Sequence, residues 1–236
     1  MAVLRTRMVD LKVNGDGAQG FLAEPDDTAV HPGVVLIQEW WGLEPHIRDL
    51  AQKLAAEGFV TMVPDLYHGK VVTEPDEAAK AIMMIAGNLD RAVAEVQGAI
   101  NSLKEMPNVE PKKVGLIGFC VGGLVTYKVA ERSPDLAAAV PFYAGGYDPT
   151  PEEVAGVRVP ILAFYGDQDQ SIPMSQVEKI RNLYKQAGKD YEALVYHAGH
   201  AFINPAHGMG NEEAAADAWP KAVAFLKKHL AAAQRT

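Results

Sequence analysis

Two periodicities of apolar positions run through the chain and predict its elements. Short continuous apolar runs at 34–37 and 114–117 are typical of strands buried on both faces of a parallel sheet. Between such runs the apolar residues recur at helical spacing, as at 46–57, and glycine or proline ends most segments. The same signals predict strands at 59–63, 136–143, 160–165 and 191–196, and helices at 76–85, 89–106, 124–131, 174–186 and 214–230.

The first residues follow a different pattern. Apolar positions alternate loosely over 5–13, the turn sequence Asn14-Gly15-Asp16-Gly17 follows, and a second short strand signal covers 19–23. We therefore predict an antiparallel hairpin at the edge of a mostly parallel, twisted sheet. Because strands and helices alternate along the rest of the chain, helices should cover both faces of that sheet. The length of 236 residues fits one α/β domain over 1–236.

A glycine-lined turn carries the only cysteine. The stretch Gly118-Phe119-Cys120-Val121-Gly122 joins an apolar run to a helical pattern with the spacing of a nucleophile elbow, in which small neighbours let the backbone approach closely. A thiol at the start of a helix also lies in a dipole field that favours thiolate. The alternative is a buried structural cysteine in a glycine-rich turn.

Two other strand ends carry the partners that such a nucleophile needs. Hydrolases with an elbow supply the residues in the order nucleophile, acid, histidine. Asp169 follows the strand predicted at 160–165, and His200 follows the strand predicted at 191–196. Because the carboxyl ends of parallel strands meet at one edge of a sheet, we predict that both residues lie near Cys120.

Neighbouring residues offer alternatives for both partners. Asp167 could orient the histidine, but an aspartate directly after a glycine more often caps its own turn. His197 lies closer to the strand, and His207 lies further out in a loop. A metal site built from these histidines would lack a compact ligand pair such as His-x-x-x-His on a helix, so we expect no metal.

With these motifs the chain resembles the dienelactone hydrolase family of α/β hydrolases over nearly its whole length. The resemblance rests on Gln38-Glu39-Trp40-Trp41-Gly42, Gly118-Phe119-Cys120-Val121-Gly122-Gly123, Gly166-Asp167-Gln168-Asp169 and Gly199-His200-Ala201-Phe202. It implies the α/β-hydrolase fold and hydrolysis of small esters or lactones with no cofactor. A cysteine elbow combined with a glutamate after an early strand is more specific than the general hydrolase pattern.

The resemblance also implies a role for each residue. Cys120 would be the nucleophile that forms a thioester, His200 the general base and later acid, and Asp169 its orienting partner.

Two further roles follow by resemblance. The backbone N–H groups of Trp40 and Val121 would stabilise the oxyanion. Glu39 would hold the resting thiol and help to form the thiolate, the alternative being a solvated loop carboxylate.

The substrate site departs from the family pattern. Well-studied members bind a substrate carboxylate with arginines, one of them four positions after the catalytic histidine, where this chain has Asn204. No arginine lies between Arg48 and Arg91, and Lys70 or Lys80 could not reproduce a planar bidentate fork. We therefore predict a pocket that suits an uncharged ester, an aryl group or a lactone ring. Its predicted lining residues, which could instead be core, are Trp41, Tyr67, Phe119, Tyr143, Phe202 and Asn204.

Charge and cysteine content bear on the binding partner and the cellular location. The net charge of −8 and the pI near 5.4 argue against nucleic acid or an anionic membrane as the partner. With one cysteine, no signal peptide pattern and no long apolar stretch, we expect a cytoplasmic monomer whose partner is a small-molecule ester or lactone.

Other functions remain open at this stage. The same nucleophile could cleave a thioester or a peptide, or Cys120 could serve a non-catalytic redox or ligand-binding protein. The sequence also leaves open whether the loop at 65–75 closes over a substrate.

Overall fold

An eight-stranded sheet organises the chain. The computed structural model describes residues 3–11, 13 and 17–234. The strands are β1 Leu4–Asp10, β2 Gln19–Pro25, β3 Gly33–Ile37, β4 Val60–Pro64, β5 Val114–Phe119, β6 Leu136–Phe142, β7 Ile161–Gly166 and β8 Tyr191–Tyr196. Their order in the sheet is β1-β2-β4-β3-β5-β6-β7-β8. β1, β2 and β4 pair antiparallel, and every pair from β4 to β8 is parallel.

Helices cover both faces of this sheet. They are α1 Pro45–Ala56, α2 Pro75–Ala86, α3 Leu89–Glu105, α4 Val121–Ala130, α5 Pro151–Gly156, α6 Met174–Gln186 and α7 Glu212–Ala233, with a 3-10 turn at Ala206–Gly208. Gly115 of β5 faces Leu226 of α7, whereas Gly118 on the other face of β5 lies against the first turns of α4. Helices α4 and α7 therefore lie on opposite faces, as an α/β-hydrolase fold requires.

The predicted hairpin is confirmed: β1 and β2 pair in register from Leu4↔Pro25 to Asp10↔Gln19. Its predicted turn at Asn14, Gly15 and Asp16 lies outside the described residues. α6 and β8 have the predicted bounds, whereas the six-residue α5 was not predicted. The helix after the elbow begins at Val121 rather than at 124, so Cys120 directly precedes its first turn.

The parallel strands bring the candidate residues to one edge. β5 is wholly buried near the middle of the sheet, between β3 and β6. The segments that follow β3, β5, β7 and β8 begin at the same carboxyl edge, where open α/β sheets bind ligands. Among the described residues, no helix is long and apolar enough to cross a membrane.

Candidate active site

Cys120 lies on a sharp turn between β5 and α4. Its backbone has φ 54° and ψ −118°. Residues other than glycine rarely adopt a positive φ of this kind. A Cβ on Gly118 would lie 2.2 Å from the Gly122 carbonyl oxygen, and one on Gly122 would lie 2.4 Å from that of Gln38. The glycines of the motif thus allow three backbone segments to meet at the cysteine, as in a nucleophile elbow.

The three residues predicted to act together are neighbours. Asp169 Oδ2 lies 2.6 Å from His200 Nδ1, and Cys120 is near enough to His200 for its charge to raise the pKa of the imidazole. Asp169 is buried and His200 is one-quarter exposed, with 26% of its side chain accessible. The imidazole therefore lies between a buried carboxylate and a thiol at the edge of the sheet.

These neighbours decide where the proton resides. Burial lowers the pKa of His200, but the hydrogen bonds and negative charges of Asp169 and Cys120 outweigh it and raise that pKa to about 10. Burial raises the pKa of Asp169, but its hydrogen bonds to His200 and Ser171 outweigh that effect and lower it. At neutral pH the pair is an aspartate with an imidazolium, which can donate a proton towards a bound substrate.

Ser171 belongs to this cluster and was not predicted. Its hydroxyl donates to Asp169 Oδ1 at 2.6 Å, and its backbone N–H donates to the same oxygen at 2.9 Å. The hydroxyl also lies 3.4 Å from His200 Nδ1. A serine two positions after an aspartate is typical of an Asx turn, and that local signal could have identified it. Ser171 fixes the Asp169 oxygen that does not bind the histidine.

The alternative acid and base pair with each other instead. His197 Nδ1 lies 3.1 Å from Asp167 Oδ2, and His197 Nε2 lies 2.9 Å from Gln168 Nε2. This second pair is in solvent, since 80% of the His197 side chain is exposed. The side chain of His207 lies outside the described residues.

Glu39 is buried beside the site rather than solvated, with 1% exposure. Its Oε1 accepts a hydrogen bond from the Tyr143 hydroxyl at 2.7 Å, and its Oε2 accepts one from Asn204 Nδ2 at 2.6 Å. Burial raises the pKa of Glu39, and these two hydrogen bonds only partly offset that effect. The alternative of a solvated carboxylate is therefore wrong. The two hydrogen bonds of Glu39 go to Tyr143 and Asn204, so its predicted contact with the Cys120 thiol stays a prediction.

The residues predicted as oxyanion donors come from adjacent segments. Val121 is the first residue of α4, where backbone N–H groups have no partner within the helix. The segment 38–40 lies against the same turn, because the Gln38 carbonyl is next to Gly122. Trp40 is half-buried, and its carbonyl oxygen accepts a hydrogen bond from the Tyr67 hydroxyl at 3.0 Å.

The residues predicted to line the pocket are all buried. Phe119 stacks on Phe142 with ring centroids 5.0 Å apart, and Phe202 meets the edge of Tyr143 at 5.4 Å. They therefore pack in the interior, in agreement with the alternative that these aromatic residues are core. Asn204 is fully buried against Glu39.

A cavity of about 520 Å³ has Tyr67 in its wall and does not include Cys120 among its lining residues. It is lined by residues of α2, α3 and the loop after β4, and Tyr67 is the only predicted pocket residue in its wall. Trp41, also buried, lies in the segment beside that loop, where its carbonyl accepts a hydrogen bond from Val72 N–H at 3.1 Å. Within the described part of the chain, no three His, Cys, Asp or Glu side chains are grouped so as to hold a metal ion.

Similarity to known proteins decides the family. The family model described as "Dienelactone hydrolase family" matches residues 18–230. The chain belongs to this family. Its members hydrolyse carboxylic ester bonds, and the chain is accordingly a hydrolase of this class.

Individual proteins show how far the similarity extends. Protein usf of Aquifex pyrophilus is 36% identical over 95% of this chain and 99% of its own length. A protein of Aquifex aeolicus named "Putative carboxymethylenebutenolidase" is 32% identical over the same shares. The solved structure of a dienelactone hydrolase-like promiscuous phosphotriesterase from metagenomic libraries is 23% identical, with a TM-score of 0.89 over 97% of this chain and 99% of its own. That structure shares the fold.

Proposed function

We propose that the chain hydrolyses small, uncharged esters or lactones with Cys120 as nucleophile and a thioester intermediate. The observation that carries this proposal is the position of His200, which is hydrogen-bonded to buried Asp169 at 2.6 Å and lies near Cys120, whose charge raises the pKa of the imidazole. A histidine fixed in this way can exchange a proton with both the thiol and the leaving group.

The first half-reaction forms the acyl-enzyme. The Cys120 sulfur attacks the carbonyl carbon while its proton resides on His200, and the carbonyl oxygen becomes an oxyanion. The N–H groups of Trp40 and Val121 would stabilise this charge, and losing one such donor typically costs about 2.7 to 4 kcal/mol in the barrier. The carbon–oxygen bond to the leaving group then breaks, the alkoxide or enolate takes the proton from His200, and a thioester remains on Cys120.

The second half-reaction restores the enzyme. His200 accepts a proton from a water molecule, whose oxygen attacks the thioester carbonyl. The carbon–sulfur bond breaks, the acid leaves, and the proton returns to the thiolate–imidazole pair. Asp169 keeps the imidazole oriented throughout. Every step uses groups of the chain, the substrate and water.

The substrate class follows from the position of Asn204. Its side-chain amide donates to Glu39, and its Oδ1 accepts a hydrogen bond from the Ala206 N–H at 2.9 Å. Both ends of this amide are therefore in use inside the protein, and Asn204 carries no charge to attract a substrate carboxylate. This supports an uncharged ester or lactone ring over the acidic dienelactone.

Turnover of p-nitrophenyl acetate and of a dienelactone by the wild type, Cys120→Ala and His200→Ala tests the proposal. Both variants should lose nearly all activity, whereas His197→Ala, which removes the exposed histidine, should stay close to the wild type. Equal turnover by the wild type and Cys120→Ala would refute the thioester route. If kcat/KM were tenfold or more higher for thioesters than for esters with the same acyl group, the enzyme would be assigned as a thioesterase instead.

A further inference from the structure

The cavity lined by Tyr67 has a hydrogen-bonded side and an apolar side. The hydrogen-bonded side is the turn after β4, where Asp65 accepts hydrogen bonds from Tyr67 N–H at 3.1 Å and from Gly69 N–H at 2.7 Å. The chain after this turn is bound to the segment following β3, since Val72 N–H donates to the Trp41 carbonyl at 3.1 Å. The loop is therefore a rigid wall over this stretch.

Tyr67 connects this wall to the reacting centre. It lines the cavity, and its hydroxyl donates to the carbonyl of Trp40, the residue whose N–H is proposed to bind the oxyanion. Burial and then the negative charge of Cys120 raise the pKa of Tyr67. A substrate group that extends from the carbonyl past Tyr67 would enter the cavity.

The arginine in the cavity wall is already paired with a buried carboxylate. The carboxylate of Glu95 is buried, and its Oε1 lies 2.8 Å from Arg91 Nε and 3.2 Å from His68 Nε2. Arg91 also contacts His68 at 3.2 Å. Lys70, the other cation in the wall, is exposed to solvent. A substrate carboxylate in the cavity would find Arg91 already paired and would lie near the negative charge of Glu95, which disfavours it, while the charge of exposed Lys70 is screened by water.

The opposite wall is formed mainly by apolar side chains of α2. Only Ala78 and Ile85 of α2 are buried, while Met83 and Met84 line the cavity although they are 72% and 76% exposed. Methionine is flexible and polarisable, so it adapts to apolar ligands of varied shape. Exposed apolar side chains beside a cavity of about 520 Å³ would lose contact with water when an apolar group fills it.

Resting on the proposed function, we infer that this cavity binds the non-reacting part of the ester and that this part is an uncharged apolar chain or ring. α2 is then the specificity-determining element, with Ala81, Met83 and Met84 in contact with the substrate. The acyl carbonyl is held at Cys120, and the apolar arm lies between α2 and the Tyr67 turn.

Three p-nitrophenyl esters test this inference: the acetate, the hexanoate, and the monoester of adipic acid, which has the length of the hexanoate but ends in a carboxylate. We expect kcat/KM to be at least about tenfold higher for the hexanoate than for the acetate. The adipate monoester should be the poorer substrate of the two long esters. Ala81→Phe fills the cavity and should reduce the ratio of hexanoate to acetate turnover.

The matched control is Ala79→Phe, which places the same side chain on an exposed position of α2 outside the cavity and should keep the wild-type ratio. The inference would be overturned if Ala81→Phe kept the wild-type ratio of hexanoate to acetate turnover, or if the wild type preferred the adipate monoester to the hexanoate. In either case, turnover of the acetate would still uphold the proposed function. Absence of acetate turnover would instead refute the function. Calorimetry can test the cavity without turnover, by measuring the binding of p-nitrophenyl hexyl ether to Cys120→Ala with and without Ala81→Phe. If Ala81→Phe does not weaken this binding, the inference is overturned.

Discussion

Asn204 donates a hydrogen bond to Glu39 at 2.6 Å, although 165 positions separate the two residues in the chain. The other oxygen of Glu39 accepts from Tyr143, so both oxygens of a buried carboxylate are bound to neutral donors. No cation takes part in these two bonds. The site therefore contains a carboxyl group that is costly to ionise.

Replacing Glu39 by glutamine should stabilise the protein at neutral and higher pH. The pKa of Glu39 is raised above its ordinary value of 4.5 by burial. The folded state therefore binds more protons than the unfolded state between that value and the raised pKa, and stability falls as pH rises through this window. Glutamine stays neutral, can accept from Asn204 and can donate to the Tyr143 oxygen. Urea unfolding at several pH values should show an advantage that disappears below about pH 4.

The control for this prediction is Asn204→Ala, which leaves one buried oxygen of Glu39 without its donor. We expect a loss of about 1 to 3 kcal/mol in the free energy of unfolding. A stable Asn204→Ala variant, or a Glu39→Gln variant with the same pH dependence as the wild type, would contradict the importance of this buried pair.

Asp169→Asn should lower the pKa of His200 and reduce kcat/KM by about 10²- to 10⁴-fold. Without the carboxylate, burial is opposed only by Cys120, so the midpoint of the imidazole signal in an NMR titration should be lower than in the wild type. Asp167→Asn removes the partner of exposed His197 and should leave both quantities unchanged. Equal losses in the two variants would rule out a special role for Asp169.

The same pair predicts how stability depends on pH. His200 has a folded pKa above its ordinary 6.5, so its contribution is fully present below pH 6.5 and is lost as pH rises through about 10. Asp169 has a lowered pKa, so its contribution is present above 3.8 and is lost as pH falls through the lower folded value. The stability difference between the wild type and Asp169→Asn should therefore be greatest between pH 3.8 and pH 6.5, where both contributions are fully present. Thermal unfolding at several pH values can measure this difference.

Cys120→Gly should stabilise the fold while abolishing activity. Glycine adopts the observed φ of 54° without steric cost, whereas a side chain there costs about 1 to 3 kcal/mol, and part of this gain is offset by the entropy of glycine in the unfolded chain. We expect a net gain of about 1 kcal/mol in urea unfolding. Cys120→Ala, which keeps the Cβ, is the control and should show no such gain.

Gly122→Ala should damage both stability and activity. The new Cβ would lie 2.4 Å from the Gln38 carbonyl oxygen and force the segments carrying Trp40 and Val121 apart. We expect a cost of about 1 to 3 kcal/mol and a large loss of kcat. Gly145→Ala is the matched control, because nothing lies within 4 Å of its added Cβ. Similar behaviour of the two variants would contradict the close approach at the elbow.

The sequence predicted elements best where periodicity and breakers agree. α6 and β8 have the predicted bounds, since Gly188 separates a clear helical pattern from an apolar strand. α5 was missed because six residues are too few to show a period, although its capping box between Thr150 and Glu153 is a local signal. The start of α4 was placed too late because its glycines suggest a turn. They are required there by close packing, since a Cβ on Gly123 would lie 2.6 Å from the Phe142 carbonyl oxygen.

The candidate site also has a part that the sequence predicts and a part that it does not. Strand-end positions brought Cys120, Asp169 and His200 to one edge, because parallel strands share a direction. The partners of Glu39 could not be predicted, since they depend on how segments 104 and 165 positions away along the chain pack against it. The cavity between α2 and α3 was also beyond prediction, because helix packing rather than any local pattern creates it.

The position of β8 has a consequence for how the site fails. His200 follows this outermost strand, which pairs only with β7 and is half-exposed along most of its length, whereas Cys120 follows a strand in the buried centre. Edge strands open at lower free energy than central ones. In rising urea, turnover should therefore vanish before the far-UV circular dichroism changes, and coincident transitions would argue against it. We therefore expect fraying at the sheet margin, rather than global unfolding, to set the working lifetime of the site.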